Sequence, residues 1–522
     1  MSSSTALRVR RLFAVPLLVT ILALTGAPPA VAAPPKSPDS DSFYVYSGAK
    51  PLGQISGGTV LKRRAIQVKI AGYPTPFDAV QALYRTTNQL GAPSATVTTV
   101  IKPLVPNPVV NLVSYQTAYD ALGTQCDPSY TLNGGNPGYQ LAQDEAAFIA
   151  TYLTTGGYYV NVPDYEGTRR NGEPLHWAAG YESGYGTLDS VKAAESVLKA
   201  PSSTKVGLVG YSGGSIASEW ASELAGHYAP QLNIVGVAEA GIPVHFAHNL
   251  KYINGSPVWS GIIPAVIVAL SQSFGIDYAK YLSPFGLQVT TAIRNQCITD
   301  FLGKYPGLTT QKILKPQYRD FLAIPAFRAV VNKLIMGTVP GHPKGPLFMM
   351  NGNADGTGDN VMIAADVRAL ALQYCAQGVN VNYKEIKNQQ GTHTNVAAIF
   401  EPAGLTFLTS AFAGTPPPSG CATIAKGSSL APVSAPSSTG SSGSGPTGSG
   451  NTGSGSTGSG ATGTTGTPGS SGNAAGSGAL AATGVKTSHL ALIGLALLAL
   501  GLVITFAAAR PASARVRVRS RG

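Results

Sequence analysis

The stretch "KVGLVGYSGGSIASEWASELAGHY", residues 205–228, decides how the rest of the chain is read. Lys205 to Gly210 is a short apolar run of the kind that makes a buried strand, and Ile216, Trp220 and Leu224 share one face of the helix that follows. Between them stands Gly210-Tyr211-Ser212-Gly213-Gly214, a G-x-S-x-G match. A strand that turns directly into a helix at a serine holds that serine strained and exposed, and flanking glycines relieve the crowding. The helix start also aims amide groups and partial positive charge at the place where an oxyanion would form. In a chain with 62 glycines the match alone is weak, and the strand–turn–helix context carries it. A phosphate-binding turn would need the P-loop lysine, which is missing here. Ser212 therefore reads as a nucleophile.

Working outward, short β-rich runs alternate with helical patterns. "VTTVIKPLV", "VVNLVSY", "YYVNVPD", "LNIVGVAEAGIPV" and "GPLFMMNG" read as strands, while "YQLAQDEAAFIATYLTTG", "GYGTLDSVKAAESVLKA" and "VMIAADVRALALQYCAQG" read as helices. Such alternation predicts an α/β fold, a mostly parallel sheet with helices on both faces. From His245 to His342 strand signals stop and helix-like apolar segments continue. This is expected to be a helical cap over the sheet's C-terminal edge, where ligand crevices lie in open α/β sheets. The apolar run Ile262 to Leu270 within it would suit an acyl chain or a lipid surface, or a plain buried helix.

A serine hydroxyl needs a base, and the base an acid to orient it, in the chain order Ser, Asp/Glu, His for this kind of turn. Of seven histidines, His393 in "NQQGTHTNVAA" follows the strand "VNVNYKEI" and precedes a final helix, the expected place for the base. The acid is expected after "GPLFMM", in "NGNADGTGDN" (351–360). There Asn351, Asn353, Asp355 and Gly356 imitate the opening of an EF-hand, but its twelfth position is Met362 where a glutamate is required. No metal and no cofactor is expected. Asp355 and Asp359 are both candidate acids.

Composition places the chain outside the cell. Arg8, Arg10 and Arg11 precede an apolar run ending in "APPAVAA", a signal peptide expected over 1–33. Residues 34–423 form the expected catalytic domain. They are followed by a Ser/Gly/Thr linker over 424–479 that cannot bury a core and should stay a flexible coil. At 480–522, "LAATG", an uncharged apolar span and an arginine-rich tail follow in order. That order resembles the LAxTG-type cell-wall sorting signal of Gram-positive bacteria. The resemblance implies cleavage by a sortase between Thr483 and Gly484 and attachment to the wall envelope, with an uncut membrane anchor as the alternative. The formal charge of +12 falls to +3 over 34–483 once the three leader arginines and six basic residues after Thr483 are set aside. No basic block remains, so nucleic acid is not an expected partner. Four cysteines, Cys126, Cys297, Cys375 and Cys421, suggest two disulfides with three possible pairings, and none has zinc-site spacing.

The segments "YYVNVPDYEG", "GYSGGSIASEWASELAGHYAPQLNIVGVAEAGIPV" and "YCAQGVNVNY…THT" resemble the secretory lipase family, typified by the yeast lipase A group, over most of residues 75–425. The resemblance implies an α/β-hydrolase fold with a helical cap and hydrolysis of triacylglycerols or related carboxylic esters. It implies Ser212 as nucleophile and His393 as base, with oxyanion donors at the amides of Gly213 and Asp164 and disulfides Cys126–Cys297 and Cys375–Cys421. The chain departs from the family at the acid, where "GTGD" stands as extra residues. Counting forward from Pro346 selects Asp355, and counting back from Cys375 selects Asp359. Because reach to the histidine is set by the strand end, Asp355 is the expected acid. A lipid or ester is the expected substrate. Acyl transfer, a wall-lipid esterase and an inactive surface binding protein are the alternatives.

Overall fold

The computed structural model describes residues 34–167, 175–318 and 320–435. The leader, most of the linker, the pentapeptide with Thr483 and Gly484, and the apolar span lie outside the described residues. Three long strands come first, β1 (Val60–Ile70), β2 (Tyr73–Thr87) and β3 (Pro93–Ile101). From β4 (Asn111–Gln116) strands alternate with helices: α1 (Pro128–Thr131), α2 (Gln140–Thr155), β5 (Tyr159–Pro163), α3 (Gly180–Leu198), β6 (Lys205–Tyr211), α4 (Gly213–Tyr228) and β7 (Asn233–Ala240). Six helices follow without a strand: α5 (Phe246–Tyr252), α6 (Ile262–Phe274), α7 (Pro284–Ile293), α8 (Ile298–Phe301), α9 (Thr310–Ile313) and α10 (Pro325–Lys333). The alternation resumes with β8 (Leu347–Asn353), α11 (Ala364–Ala376), β9 (Val381–Lys387) and α12 (His393–Phe412).

The sheet order is β1-β2-β3-β5-β4-β6-β7-β8-β9. Every pairing from β5 to β9 is parallel, while β1, β2, β3 and β5 pair antiparallel. The fold is an α/β-hydrolase, as expected, with an antiparallel flank that the pattern reading missed. In β1, "VLKRRAIQVKI", exposed and half-buried positions alternate, as suits a strand solvated on one face. The central strand β6 is almost wholly buried, because helices cover both of its faces. On one face Ile216 and Trp220 of α4 join the larger core, and on the other Phe400, Phe407 and Leu408 of α12 join Tyr115 and Tyr152. Gly207 makes the close approach of α12 possible, since a Cβ there would stand 3.0 Å from Leu408 and 3.2 Å from Phe412. The 245–342 segment packs onto the sheet's C-terminal edge as a cap.

Two disulfides tie outlying chain to this frame. Cys126–Cys297 links the segment after β4 to the cap, and Cys375–Cys421 links α11 to the chain beyond α12. The described part of the 424–479 stretch does not leave the body at once. Ser428 N–H donates to Ala365 O at 3.0 Å, and Val433 exchanges bonds of 2.9 and 3.0 Å with the Asn332 side chain on α10. No helix among the described residues is long and apolar enough to cross a membrane.

Beneath the sheet edge lies a buried acidic cluster. Glu219 and Glu223 of α4, Glu239 of β7 and Tyr374 of α11 are all buried. The Tyr374 hydroxyl faces Glu219 and, at 2.6 Å, Glu223, and its single proton cannot serve both. Neither Glu239 oxygen meets a hydrogen-bond donor among the described residues. Burial pushes Glu219 and Glu223 well above the ordinary range and Glu239 up to about 8 from 4.5. A carboxyl whose pKa rises on folding holds its proton more tightly in the native state. Its stabilising effect is therefore complete below about 4.5 and is lost as pH climbs through about 8. Urea unfolding midpoints should fall between pH 5 and pH 8, and Glu239→Gln should flatten that fall. A midpoint that rises over the same range would contradict this reading.

Candidate active site

The β6–α4 turn places Ser212 at φ 53° and ψ −118°, a backbone conformation that side chains rarely adopt. It persists because its neighbours are small. A Cβ on Gly210 would run into the Gly214 carbonyl, and one on Gly214 into the Gln116 carbonyl of β4. The turn is pinned by Ser212 N–H donating to Ala240 O at 2.9 Å, at the end of the adjacent β7.

His393 is the first residue of α12, and its ring lies between two partners. Nε2 is 2.8 Å from Ser212 Oγ, and Nδ1 is 2.7 Å from Asp359 Oδ2. The other Asp359 oxygen accepts from the amides of Val361 at 2.9 Å and Met362 at 2.6 Å. The Asp359 carbonyl accepts from His393 N–H at 2.8 Å, and the side chain is fully buried. Tyr211 donates its hydroxyl to the His393 carbonyl, and the Trp259 ring stands edge-on to the imidazole with centroids 5.3 Å apart. Gly241, at φ 60°, leaves room for the ring, since a Cβ there would come within 2.9 Å of its Cε1.

Two expected site residues are elsewhere. Asp355 does not reach His393. Its carboxylate accepts from Tyr252 at 2.8 Å and from the amides of Thr357 and Gly358 at 2.8 and 3.0 Å. The chain folds back over 354–358, closed by Ala354 N–H to Gly358 O, so the extra residues form a turn that carries Asp359 to the histidine. The Asp164 amide is also occupied, donating to Val97 O at 2.9 Å, and its carboxylate holds Ser129. The reason is strand order: β4, not β5, lies beside β6, so the loop after β4 approaches the serine.

That loop brings a residue the sequence reading missed. Asp120, at φ 41°, lines the cavity beside Ser212 and Gly213, and its carboxylate accepts from Trp177 Nε1 at 2.5 Å. Its backbone N–H makes no hydrogen bond to another described residue. Burial pushes the Asp120 carboxyl up to about 6, even though Trp177, His393 and the Gly213 amide all favour its charged form. The only sequence signal for it is position, just past the end of a central strand.

The cavity over Ser212 is about 50 Å³, room for a few waters. Phe246 and Leu250 of α5, Ile262 and Val266 of α6, Trp259 and Met362 make its walls apolar. Among the described residues no group of three His, Cys, Asp or Glu side chains is arranged to hold a metal ion. Asn351 and Asn353, the imitation of a calcium loop, belong to β8 and bond Gly352 O and Glu385.

The profile of the family described as Secretory lipase matches residues 139–420. A probable inactive lipase of Mycobacterium tuberculosis (strain CDC 1551 / Oshkosh) is 35% identical, over 73% of this chain and 84% of its own length. Lipase 6 of Candida albicans is 30% identical over 76% and 86% respectively. The X-ray structure of Candida antarctica lipase A superposes with a TM-score of 0.67 at 28% identity, covering 76% of this chain and 90% of that one.

A proton held between His393 Nδ1 and Asp359 should give a low-field proton NMR signal. Asp359→Asn is expected to remove it and Asp355→Asn to leave it. Survival of the signal in the Asp359 variant would show that another group orients the ring.

Proposed function

The chain belongs to the secretory lipase family, and on that premise we propose that it cleaves lipid or related esters through a Ser212–His393–Asp359 triad. It is a carboxylic ester hydrolase. The observation that carries the proposed roles is the unbroken hydrogen-bonded run from Ser212 Oγ through both imidazole nitrogens to Asp359. Ser212 Oγ attacks the ester carbonyl while His393 Nε2 takes its proton. Asp359 holds the Nδ1–H and stabilises the imidazolium that forms. The negative oxygen of the tetrahedral intermediate is received by the amides of Gly213 and Asp120, reinforced by the α4 N-terminus. His393 returns its proton to the departing alcohol, and water then resolves the acyl-enzyme by the same path.

Several features support an apolar acyl group as the part recognised. The cavity beside Ser212 is walled by Phe246, Leu250, Ile262 and Val266, all apolar. The inactivity stated for the mycobacterial relative is a property of that protein. Here the base lies within hydrogen-bonding distance of both the nucleophile and an acid, which supports turnover.

Export fits a family of secretory enzymes. We place attachment at Thr483 on the order of "LAATG", apolar span and basic tail, with release of the chain from Gly484 onward. Residues 34–435 then act as the catalytic body and the rest of the Ser/Gly/Thr stretch as its tether to the wall envelope.

Asp120 makes the reaction depend on pH in a definite direction. Neutral below about 6, its carboxyl does not oppose the oxyanion, and on ionising above that value it sets a negative charge beside it. Hydrolysis of a p-nitrophenyl ester should vanish in Ser212→Ala. Relative to wild type, Asp120→Asn, which keeps the backbone amide, should gain activity as pH rises through about 6. A constant ratio of the two activities across that range would remove Asp120 from the oxyanion site.

A further inference from the structure

Charge is distributed unevenly over the chain. Residues 245–342 carry nine Lys and Arg against three Asp, whereas the remainder of 34–483 carries 18 against 21. The cap is therefore the basic part of an otherwise acidic body. Two of its three acids are committed to the backbone, Asp300 to the Cys297 amide and Asp320 to the Leu322 amide. No ion pair among the described residues neutralises Lys280, Lys304, Lys312 or Lys315.

Three of these lysines and two exposed apolar side chains belong to neighbouring segments. Phe285 and Leu287, at the start of α7, are 44% and 38% exposed. Ser283, the N-cap of α7, bonds Lys312 O and Ile313 O at 2.9 and 2.8 Å, and Lys315 N–H donates to Tyr281 O at 2.9 Å. Lys280 Nζ lies 5.0 Å above the Tyr281 ring, and Lys315 Nζ donates to Lys280 O at 2.6 Å. Phe285 and Leu287 thus follow directly on the segment 281–283, to which the chain at Lys280, Lys312 and Lys315 is joined. The loop that carries Lys304 connects this patch to the cavity, for Gly303 N–H donates to Val258 O at 2.8 Å. Val258 is 45% exposed and precedes Trp259, whose ring touches His393.

We propose that this face of the cap docks on anionic lipid, with Phe285 and Leu287 entering the apolar boundary and Lys280, Lys312 and Lys315 meeting the acidic headgroups. Exposed apolar side chains on a basic face match an interface that is oily below and negative above. Docking there holds the cap mouth at Val258 and Trp259 against the lipid. The proposal rests on the ester-hydrolase reading only for its purpose, and binding can be measured without turnover.

The test uses the exported chain carrying Ser212→Ala, so that vesicles stay intact. Its flotation with phosphatidylcholine vesicles is compared with that on equimolar phosphatidylcholine–phosphatidylglycerol vesicles. Three lysines at an anionic surface should favour the second on the order of a hundredfold, a preference that falls with added salt. The combined change Lys280→Gln, Lys312→Gln and Lys315→Gln should abolish the preference. Phe285→Ser with Leu287→Ser should weaken binding to both vesicles. Placed in the chain with Ser212 intact, the same substitutions should leave hydrolysis of soluble p-nitrophenyl butyrate unchanged, which shows that the variants are folded. Equal partition onto the two vesicle types, or a triple variant that keeps the preference, would overturn the proposal. Anionic binding by a chain unable to cleave the soluble ester would support the docking surface and refute the hydrolase reading alone.

Discussion

The backbone at Ser212 is the constraint on which the rest of the molecule depends. A residue held at φ 53° and ψ −118° costs on the order of 1–3 kcal/mol and survives only where its surroundings over-determine it. Here α4 crowds position 210 and β4 crowds position 214 so closely that only glycine fits at either, and the Ala240 carbonyl of β7 fixes the Ser212 amide. Buried apolar contacts on both faces hold those strands in register, from Trp220 on one side to Phe400 on the other. The packing thus stabilises a turn that could not exist alone, and the turn projects one hydroxyl towards His393.

The same closeness explains the electrostatics of the interior. Helices packed tightly on both faces leave little room for water around α4 and β7, so burial pushes the Glu219, Glu223 and Glu239 carboxyls up, with the Tyr374 hydroxyl facing the first two. Asp120 meets the same low-polarity surroundings at the cavity wall. Positive charge is pushed outward to the cap surface, where Lys280 and Lys312 are exposed.

What the sequence made legible was what is local. Ser212 and His393 are identified by short patterns, a strand turning into a helix and a histidine opening the last helix, and both stand where those patterns put them. The cap was visible because strand signals stop between His245 and His342. Long-range order was not legible. The family resemblance points to Asp164 for the oxyanion, yet strands enter the sheet in the order β5-β4-β6, and the loop after β4 places Asp120 in the cavity beside Ser212 instead. Asp355 was chosen by counting from the end of β8, but the 354–358 turn folds back on itself, so the count from Cys375 within α11 was the better ruler. The hairpin β1–β2 escaped notice because "LKRRAIQVKI" reads as a charged loop unless one face is known to be solvated.

The central claim is that Asp359, and not Asp355, orients His393 for proton transfer from Ser212. The most direct measurement compares kcat and KM for p-nitrophenyl butyrate in Asp359→Asn and Asp355→Asn. The account predicts that Asp359→Asn lowers kcat by roughly 10³- to 10⁴-fold with KM little changed, because the imidazole loses its tautomer and its counter-charge. Asp355→Asn should stay close to wild type. An Asp359 variant that retains wild-type kcat while the Asp355 variant loses it would contradict the account.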